Sequence, residues 1–309
     1  MKKLDPSLIG NTAAICTAFL WTGSSILFTS AGKRIGFFSV NAYRSAITVG
    51  LLICAHVVLL GYVLPAATGQ QWFWLGLSGI VGLGVGDFGL FAGYILIGPR
   101  KTLLILASSP IFASVSAYLM LGETFPQLAA LGVAITLAGI VIVLLEKENG
   151  EKALESVAQR RRSWGIVAAI VASAGQGIGL VLSKEGMYVG AAQALNPVSA
   201  ALIRMMTATV FVWACALLLQ KAPALKQTTR DRMGLKLVLG GALVGPFLGM
   251  TLSLFAVSFT EAGVAQTLLS LEPLIIIPVV WLLYKERTNW RGIIGAGLAI
   301  VGVTILMLT

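Results

Sequence analysis

Two acidic side chains lie near the centres of long apolar stretches of this sequence. Asp87 occurs within GVGDFGLF, and Glu272 lies in the middle of residues 261–286, directly before Pro273. A carboxylate at the centre of a bilayer costs about 2.5 kcal/mol or more, so it normally exchanges a proton or pairs with a cationic group. Pro273 removes a backbone donor and should kink the helix beside Glu272. The alternative is that Glu272 is protonated and only hydrogen-bonds a neighbouring helix.

Two arginines lie several residues inside apolar stretches. They are Arg44 in NAYRSA and Arg204 in ALIRMM. Long basic side chains near the end of a membrane helix can extend their charge to the interface, and the sequence slightly favours this interpretation. Alternatively, the arginines pair with Asp87 or Glu272, or with an anionic group of a substrate.

Neutral side chains complete a candidate site for a small-molecule substrate or a proton. The residues that could face a central cavity are Trp21, Tyr94, Ser109, Gln176 and Gln266. No nucleotide-binding loop of the GxxxxGK[ST] type and no nucleophile–base constellation occurs, so the sequence predicts neither an enzyme nor ATP hydrolysis. The three cysteines lack metal-ligand spacing and are predicted to be small core residues, so no metal or cofactor is expected.

The composition places these residues in a membrane. The chain has 309 residues, of which 57% are hydrophobic and only 11% are charged, whereas soluble domains have about 25% charged residues. The net charge of +10 comes mainly from basic residues in the loops, so it predicts topology rather than nucleic-acid binding. The chain is therefore predicted to be a multi-pass protein of the cell inner (plasma) membrane, in contact with the lipid bilayer and present as a monomer or homodimer.

Ten membrane spans position the candidate residues. They are predicted at about 8–29, 38–61, 72–97, 102–121, 126–145, 164–183, 197–219, 235–259, 262–284 and 290–308. The fold class is all-α, with the acids in spans 3 and 9 and the arginines in spans 2 and 7.

The ten spans form an internal duplication. At a constant shift of 163 residues, a proline, an acid and several glycines coincide; the pairs include Pro110 with Pro273, Glu123 with Glu286, Gly82 with Gly245 and Gly86 with Gly249. The first five-helix repeat is assigned to residues 1–150 and the second to 151–309. Because five is odd, the second repeat enters the membrane from the opposite side, so the repeats are inverted.

Glycines and prolines at matched positions are candidates for helix packing or hinges. Small residues four apart let helix backbones approach closely, although ordinary packing explains most of them. The candidate positions are Gly82, Gly86, Pro110, Gly245, Gly249 and Pro273. Glu123, at the end of span 4, is predicted to cap the next short turn or helix, and a salt bridge that closes a gate is the less favoured alternative.

Two corresponding segments resemble the drug/metabolite transporter superfamily, EamA type. They are SSPIFASVSAYLMLGETF followed by GVAITLAGIVIV, and LEPLIIIPVVWLLYKERT followed by GAGLAIVGVTIL. The resemblance covers nearly the whole chain. It implies a ten-helix carrier, often an exporter of amino acids, other metabolites or drugs, without ATP, and it implies both termini in the cytoplasm.

The distribution of basic residues predicts the opposite orientation. The loops after spans 1, 3, 5, 7 and 9 hold 17 Lys and Arg, whereas the N-terminus and the other loops hold three. Basic loops remain in the cytoplasm, so both termini are predicted outside.

Three functions are compatible with these patterns. The first is a secondary or facilitative carrier that alternates between two inverted repeats. The second is a flippase for a lipid-linked intermediate, which needs a lateral opening, and the third is a membrane scaffold that does not transport. A scaffold has no need for two acids inside the membrane, so the carrier is favoured.

Overall fold

The structure is a computed structural model. It describes residues 6–97, 102, 105–123, 126–144, 156–190, 194–272, 274–275 and 290–307, and these residues contain helices and no strand. The helices of the first repeat are α1 (Pro6–Ile35), α2 (Phe37–Leu60), α3 (Gly69–Ser78), α4 (Asp87–Leu96), α5 (Ser109–Leu121) and α6 (Gln127–Leu144). Those of the second are α7 (Ser156–Tyr188), α8 (Pro197–Leu218), α9 (Ala222–Thr228), α10 (Arg232–Ala242), α11 (Met250–Val257), α12 (Ala262–Leu269) and α13 (Trp290–Met307).

Six helices in the described part of the chain are long and apolar enough to cross a membrane. They are Pro6–Ile35, Phe38–Leu60, Gly69–Gly93, Arg162–Tyr188, Pro197–Leu218 and Arg232–Val257, and two shorter apolar helices are Ser109–Leu121 and Gln127–Gly139. The count of ten stays a prediction, because residues 273 and 276–284 of predicted span 9 lie outside the described residues.

Two of the long helices contain a wider, π-helical segment. π1 (Gly79–Gly86) joins α3 to α4, and π2 (Leu243–Gly249) joins α10 to α11. The segments occupy matched positions in the two repeats, since Gly82 and Gly245, like Gly86 and Gly249, differ by 163 residues. π-helical insertions in α-helices occur frequently at functional sites. The sequence indicated only a high density of glycine here.

The two repeats interlock through these helices. The long helix α3–π1–α4 of the first repeat packs against α7 of the second, and α10–π2–α11 of the second packs against α1 of the first. Between the repeats, α2 also packs against α8 and α6 against α13. Each repeat therefore lends its first helix to a wall formed by the other, and residues from both surround the same interior space.

The pair α6 and α13 is joined through small residues. A Cβ on Gly139 would lie 2.5 Å from the backbone N of Ala299, and a Cβ on Gly302 would lie 2.8 Å from the carbonyl oxygen of Gly132. Gly139 and Gly302 differ by 163 residues, so the same position of each repeat makes the contact. Side chains larger than hydrogen would force these two helices apart.

Some sequence predictions differ from this fold. α1 continues to Ile35, several residues beyond the predicted end, because the helix carries Lys33 and Arg34 in its last turn. The cysteines are not core residues: Cys16 and Cys54 are exposed on the outer face of their helices and Cys215 is partly exposed. A thiol is small and weakly polar, so it tolerates an apolar exterior as well as a core.

Candidate functional site

A cavity of about 160 Å³ lies between the two repeats. Helices from both repeats contribute to its walls, mainly α1, α2, π1–α4 and the start of α5 from the first, and α7, α8, π2–α11 and α12 from the second. The lining residues taken up below are Trp21, Ser24, Phe28, Arg44, Asp87, Phe91, Ser109, Gln176, Arg204, Gln266, Ser270 and Glu272. The lining is predominantly apolar and carries four ionisable side chains, which are two arginines and two acids.

Asp87 and Arg44 form an ion pair in the cavity wall. Arg44 Nη2 donates to Asp87 Oδ2 and, at 2.8 Å, to Asn41 Oδ1, while Gln176 Nε2 donates to Asp87 Oδ1 at 3.2 Å. The two charged residues are 8% and 3% exposed. The interpretation that Arg44 extends to the membrane interface is therefore wrong, because a carboxylate partner is available inside the protein and the guanidinium would lose it at the interface.

Aromatic rings complete the surroundings of Arg44. Its guanidinium carbon lies 5.8 Å from the ring centroid of Phe28 and 5.8 Å from that of Phe91. The faces of aromatic rings attract cations, most strongly where water is excluded. These contacts help to hold the buried arginine towards Asp87, the first residue of α4.

Arg204 lies in the same wall but is bound differently. It is only 5% exposed, and it is close enough to Asp87 for electrostatic attraction. Like the Nε of Arg44, its Nε has no hydrogen-bond partner among the described residues, but unlike Arg44 it forms no salt bridge with any of them. α8 packs against π1 at Arg204. A Cβ on Gly79 would clash with the carbonyl oxygen of Arg204, and a Cβ on Gly82 would lie 3.4 Å from its Nη2. Here too the prediction of an interfacial side chain is wrong.

Glu272 belongs to the wall formed by α1 and α12. Its carboxyl group is hydrogen-bonded to Ser25, and its backbone carbonyl accepts a hydrogen bond of 3.4 Å from Thr22 Oγ1. No arginine or lysine in the described part of the chain forms an ion pair with it. The two acids are therefore inequivalent, since Asp87 is neutralised by a cation and Glu272 is not.

Two broken helices meet beside the cavity. Turns at Ala107–Ser108 and at Ser270–Leu271 interrupt the helices of predicted spans 4 and 9, and these positions also differ by 163 residues. Ser109 and Ser270 hydroxyls lie 3.3 Å apart, and Gln266 Nε2 donates to Ser109 Oγ at 3.0 Å. Interrupted membrane helices are tolerated where they line a cavity, and they commonly form binding sites.

Pro110 explains one of these breaks. It occupies the first turn of α5, directly after Ser109, where a missing backbone donor costs little. Its ring prevents a helix from continuing through the preceding residues. The equivalent Pro273 lies outside the described residues, but the turn before it is described: Leu271 N donates to Leu268 O at 3.2 Å.

At one end of the molecule, charged residues of the two repeats contact each other. Lys184 Nζ lies 2.6 Å from Glu123 Oε1 and donates to the carbonyl oxygen of Thr260 at 2.7 Å. Glu123 Oε2 accepts the backbone N–H of Ala262 at 3.0 Å, which caps α12. Glu123 therefore caps a helix of the other repeat rather than the next turn or helix of its own. It also forms the salt bridge that the less favoured alternative requires, and whether this salt bridge acts as a gate stays a prediction.

The opposite end carries a more open ion pair. Arg34 Nε, at the end of α1, donates to Asp231 Oδ2 at 3.0 Å, and Asp231 Oδ1 accepts the backbone N–H of Gly234 at 2.9 Å at the start of α10. The Gly234 N–H and the Arg34 guanidinium hold the pKa of Asp231 below its usual range. Arg34 is 49% exposed, so solvent screens this pair far more than the one between Lys184 and Glu123.

The predicted candidate residues are largely brought together. Eight of the nine binding candidates line the cavity; the exception is Tyr94, whose helix position in α4 is described but whose side chain is not. Sequence reasoning missed Phe28, Phe91 and Ser270. Phe28 and Phe91 look like ordinary apolar helix residues, and the residue that matches Ser270 at the 163-residue shift is Ala107, so the repeat gave no signal for Ser270.

Among the described residues, no group of three or more His, Cys, Asp or Glu could hold a metal ion. His56 is buried and its ring nitrogens contact Tyr62 O at 2.6 Å and Ser199 Oγ at 2.8 Å, away from the cavity. It joins α2 to the start of α8 and has a structural role.

Comparison with known proteins gives two findings. The model of the EamA-like transporter family matches the chain twice, at residues 8–145 and 163–308. A solved structure, titled only as the crystal structure of a protein, has the same fold with a TM-score of 0.72, 17% identity and coverage of 97% of this chain and 96% of that one. No match was found among the curated proteins.

Proposed function

Because this chain belongs to the EamA-like transporter family of the drug/metabolite transporter superfamily, we propose that it is a secondary or facilitative carrier for small molecules. Its substrates are metabolites, amino acids or drugs, and the family resemblance favours export. Transport occurs by alternating access, in which two inverted repeats expose one central site first to one side of the membrane and then to the other.

The observation that carries this proposal is the cavity at the junction of the two broken helices. Residues of both repeats line it, and it contains two acids and two arginines inside an apolar bundle. Buried charges in a membrane protein are costly and mark a substrate or ion pathway by default. A scaffold would gain nothing from them, and the small volume does not favour a lipid-linked substrate.

The ends of the molecule support alternating access. The ion pair between Lys184 and Glu123 joins the repeats at one end, and it must separate before a substrate can leave on that side. The cavity-lining residues of α1 extend from Trp21 to Thr29, towards the end that carries Arg34. The geometry therefore favours access from the Arg34 end in this conformation.

Flux measurements test the proposal. The wild-type protein, Asp87→Asn and Glu272→Gln are reconstituted in liposomes, and uptake of candidate amino acids, organic acids and cationic drugs is measured from about pH 5 to 8. We expect each neutral variant to change the rate or its pH dependence, because each removes a carboxylate from the cavity. Wild-type rates and pH profiles in both variants would exclude a transport role for the two acids.

The orientation of the protein in the membrane determines which direction of transport is export from the cell. The 17-to-3 distribution of basic residues predicts that both termini lie outside the cytoplasm. A reporter that is active only in the periplasm, fused after Thr309, should give a signal. A signal only from a cytoplasmic reporter would restore the orientation that the family resemblance implies, and the end that carries Arg34 would then lie outside.

A further inference from the structure

The unequal pairing of the two cavity arginines indicates what kind of ligand fits. Both oxygens of Asp87 already accept hydrogen bonds, one from Arg44 and one from Gln176. The Nε of both arginines lacks a hydrogen-bond partner among the described residues. Arg44, however, has its ion pair with Asp87, whereas Arg204, which is 5% exposed and lines the cavity, forms no salt bridge with a described residue. A buried guanidinium is strongly destabilising unless its donors are satisfied. Arg204 can therefore donate a charged hydrogen bond to an acceptor group of a ligand.

The charges on this wall do not balance. Arg44, Arg204 and Asp87 together carry one positive charge in excess, and Glu272 lies on the other wall with Ser25 as its partner. The N-terminus of α5 also starts at the cavity, and its first residue, Ser109, contributes to the lining. A helix N-terminus favours negative charge. The excess arginine and the helix end both favour an anionic group.

The size and lining of the cavity restrict the rest of the ligand. Its volume of about 160 Å³ is close to the roughly 150 Å³ of a cavity that holds one benzene ring, and it is below the roughly 300 Å³ of pockets for larger molecules. Trp21, Phe28, Leu83, Phe91 and Met250 provide apolar walls. The ligand body is therefore compact and apolar, with a single charged group.

We infer that the cavity binds small organic acids, with Arg204 as the residue that binds their carboxylate and the aromatic and aliphatic walls around their apolar body. This inference rests on the proposed function, since it names the substrate class of the same site. It selects organic acids from the wider range of metabolites and drugs, because the excess positive charge of the Arg204 wall would repel a cationic drug.

Matched ligands test the inference on the wild-type protein. Binding of benzoate, benzamide and benzylammonium to the full chain in lipid nanodiscs is measured by calorimetry at concentrations up to about 10 mM. The three have nearly the same shape and differ in charge. We expect benzoate to bind at least about ten-fold more tightly than the other two, because a hydrogen bond to a charged group contributes about that factor or more. Equal or tighter binding of benzamide or benzylammonium, or no binding of benzoate, overturns the inference.

Variants then locate the binding group. Arg204→Gln should weaken benzoate binding about ten-fold or more, and Arg204→Lys should retain part of the affinity because it keeps the charge. Arg34→Gln is the matched control, since it removes the same charge outside the cavity and should bind as the wild type does. Wild-type affinity in both Arg204 variants overturns the assignment. If Arg204→Gln does not fold, Arg204→Lys and the comparison of the three ligands still test whether Arg204 binds the carboxylate.

Flux separates the two proposals. Benzoate binding without transport of any organic acid would contradict the carrier function and leave the site assignment intact. Transport of cationic or uncharged solutes by a protein that does not bind benzoate would retain the carrier and overturn the organic-acid site.

Discussion

The two crossings between the repeats use matched glycines against different partners. In the first, which we call the Gly–Gly crossing, Gly82 and Gly86 of π1 meet Gly175 and Gly179 of α7, backbone against backbone. In the second, the Trp–Gly crossing, Gly249 of π2 meets the Trp21 side chain and Gly245 meets Ser24, both on α1.

The repeat shows how this difference arose. Gly23 and Gly32 match Gly177 and Gly186 at a shift of 154 residues, and the same shift places Trp21 opposite Gly175. One position therefore holds hydrogen in one crossing and an indole in the other. Backbones that touch leave no room for adjustment, whereas a side chain can change rotamer. The Gly–Gly crossing is expected to be the rigid contact and the Trp–Gly crossing the adaptable one.

The two acids of the cavity differ in the same way as the two crossings. The helix of the Gly–Gly crossing carries Asp87 in an ion pair with Arg44, and Gln176 of α7 completes the network. On the side of the Trp–Gly crossing, Glu272 has a hydroxyl partner on α1 and no salt bridge with a described residue. The rigid wall thus holds fixed, compensated charge, and the adaptable wall holds an acid without a cation. The following predictions test this contrast.

The largest expected effect is the loss of the Asp87 carboxylate. Asp87→Asn leaves Arg44 and Arg204 buried without a counter-charge, which should lower the free energy of unfolding by about 3–5 kcal/mol. Glu272→Gln keeps a hydrogen bond to Ser25 and should cost about 1 kcal/mol or less. Unfolding in mixed detergent–SDS micelles measures both. Equal losses in the two variants would show that the two acids are equally compensated.

The second prediction contrasts the two ends of the molecule. Lys184→Gln should cost about 1.5–3 kcal/mol, because its partner Glu123 is largely buried. Burial, together with the nearby Glu123, raises the pKa of Glu261, and Lys184 opposes this shift. Without Lys184 the pKa of Glu261 should rise further. An acid with a raised pKa stabilises the fold below its unfolded value of about 4.3 and loses this contribution as the pH rises through its folded value.

The melting-temperature difference between Lys184→Gln and wild type should therefore be larger at about pH 8 than at about pH 5. A difference that does not depend on pH would show that Glu261 and Glu123 do not gain charge repulsion when the lysine is lost. Lys226→Gln, on a lysine of the exposed loop helix α9, is a suitable control and should show no difference at either pH.

The third prediction tests the rigidity of the Gly–Gly crossing directly. A Cβ on Gly175 would lie 2.8 Å from Val81 O and 2.9 Å from Gly86 Cα, both backbone atoms, whereas a Cβ on Gly249 would lie 2.7 Å from the movable indole of Trp21. In Gly175→Ala, crowding should lower the free energy of unfolding by about 1–3 kcal/mol. The higher helix propensity of alanine should offset about 1 kcal/mol of this loss. Gly249→Ala should be nearly neutral in stability.

Leucine at these positions extends the test to function. Gly86→Leu and Gly249→Leu are both expected to impair transport, the first by separating the backbones and the second by displacing Trp21 from the cavity wall. Flux in liposomes at matched protein levels measures this effect. Full transport by both variants would show that the contacts are loose in the working protein.

The smallest effect is expected at the exposed end. Asp231→Asn removes the partner of Arg34 and weakens the cap of α10, but solvent screens the pair. Because the pKa of Asp231 is held low, its contribution is present above the unfolded value of about 3.9 and is lost as the pH falls through the folded value. The melting-temperature difference from wild type should be small, constant from about pH 5 to 8, and should vanish in acid.

Much of this arrangement could be predicted from the pattern of residues. The 163-residue repeat predicted that glycines 82, 86, 245 and 249 occupy equivalent places, and the structure locates them in two matched π-helical segments. The cost of buried charge identified Asp87, Glu272, Arg44 and Arg204 as unusual, and all four line one cavity. Whether they bind a ligand stays a prediction.

Which of the buried arginines forms an ion pair with Asp87 could not be predicted from the sequence. Nothing in the sequence distinguishes Arg44 from Arg204, which occupy equivalent turns of their spans, or shows that Asp87 selects Arg44. That choice depends on the direction of each side chain after the helices have packed, and on Gln176, which reaches Asp87 from the other repeat. For the same reason the sequence favoured an interfacial position for both arginines.

Composition and periodicity by themselves determined that the chain is apolar, helical and duplicated, because hydrophobic length and a constant offset are properties of the linear order. The tertiary structure alone decided that the first helix of each repeat completes a wall of the other, that two broken helices meet at Ser109 and Ser270, and that Arg44 but not Arg204 forms a salt bridge among the described residues. These features depend on contacts between residues of different repeats, such as Asp87 with Gln176 and Ser109 with Ser270, and such contacts form only when the two repeats interlock.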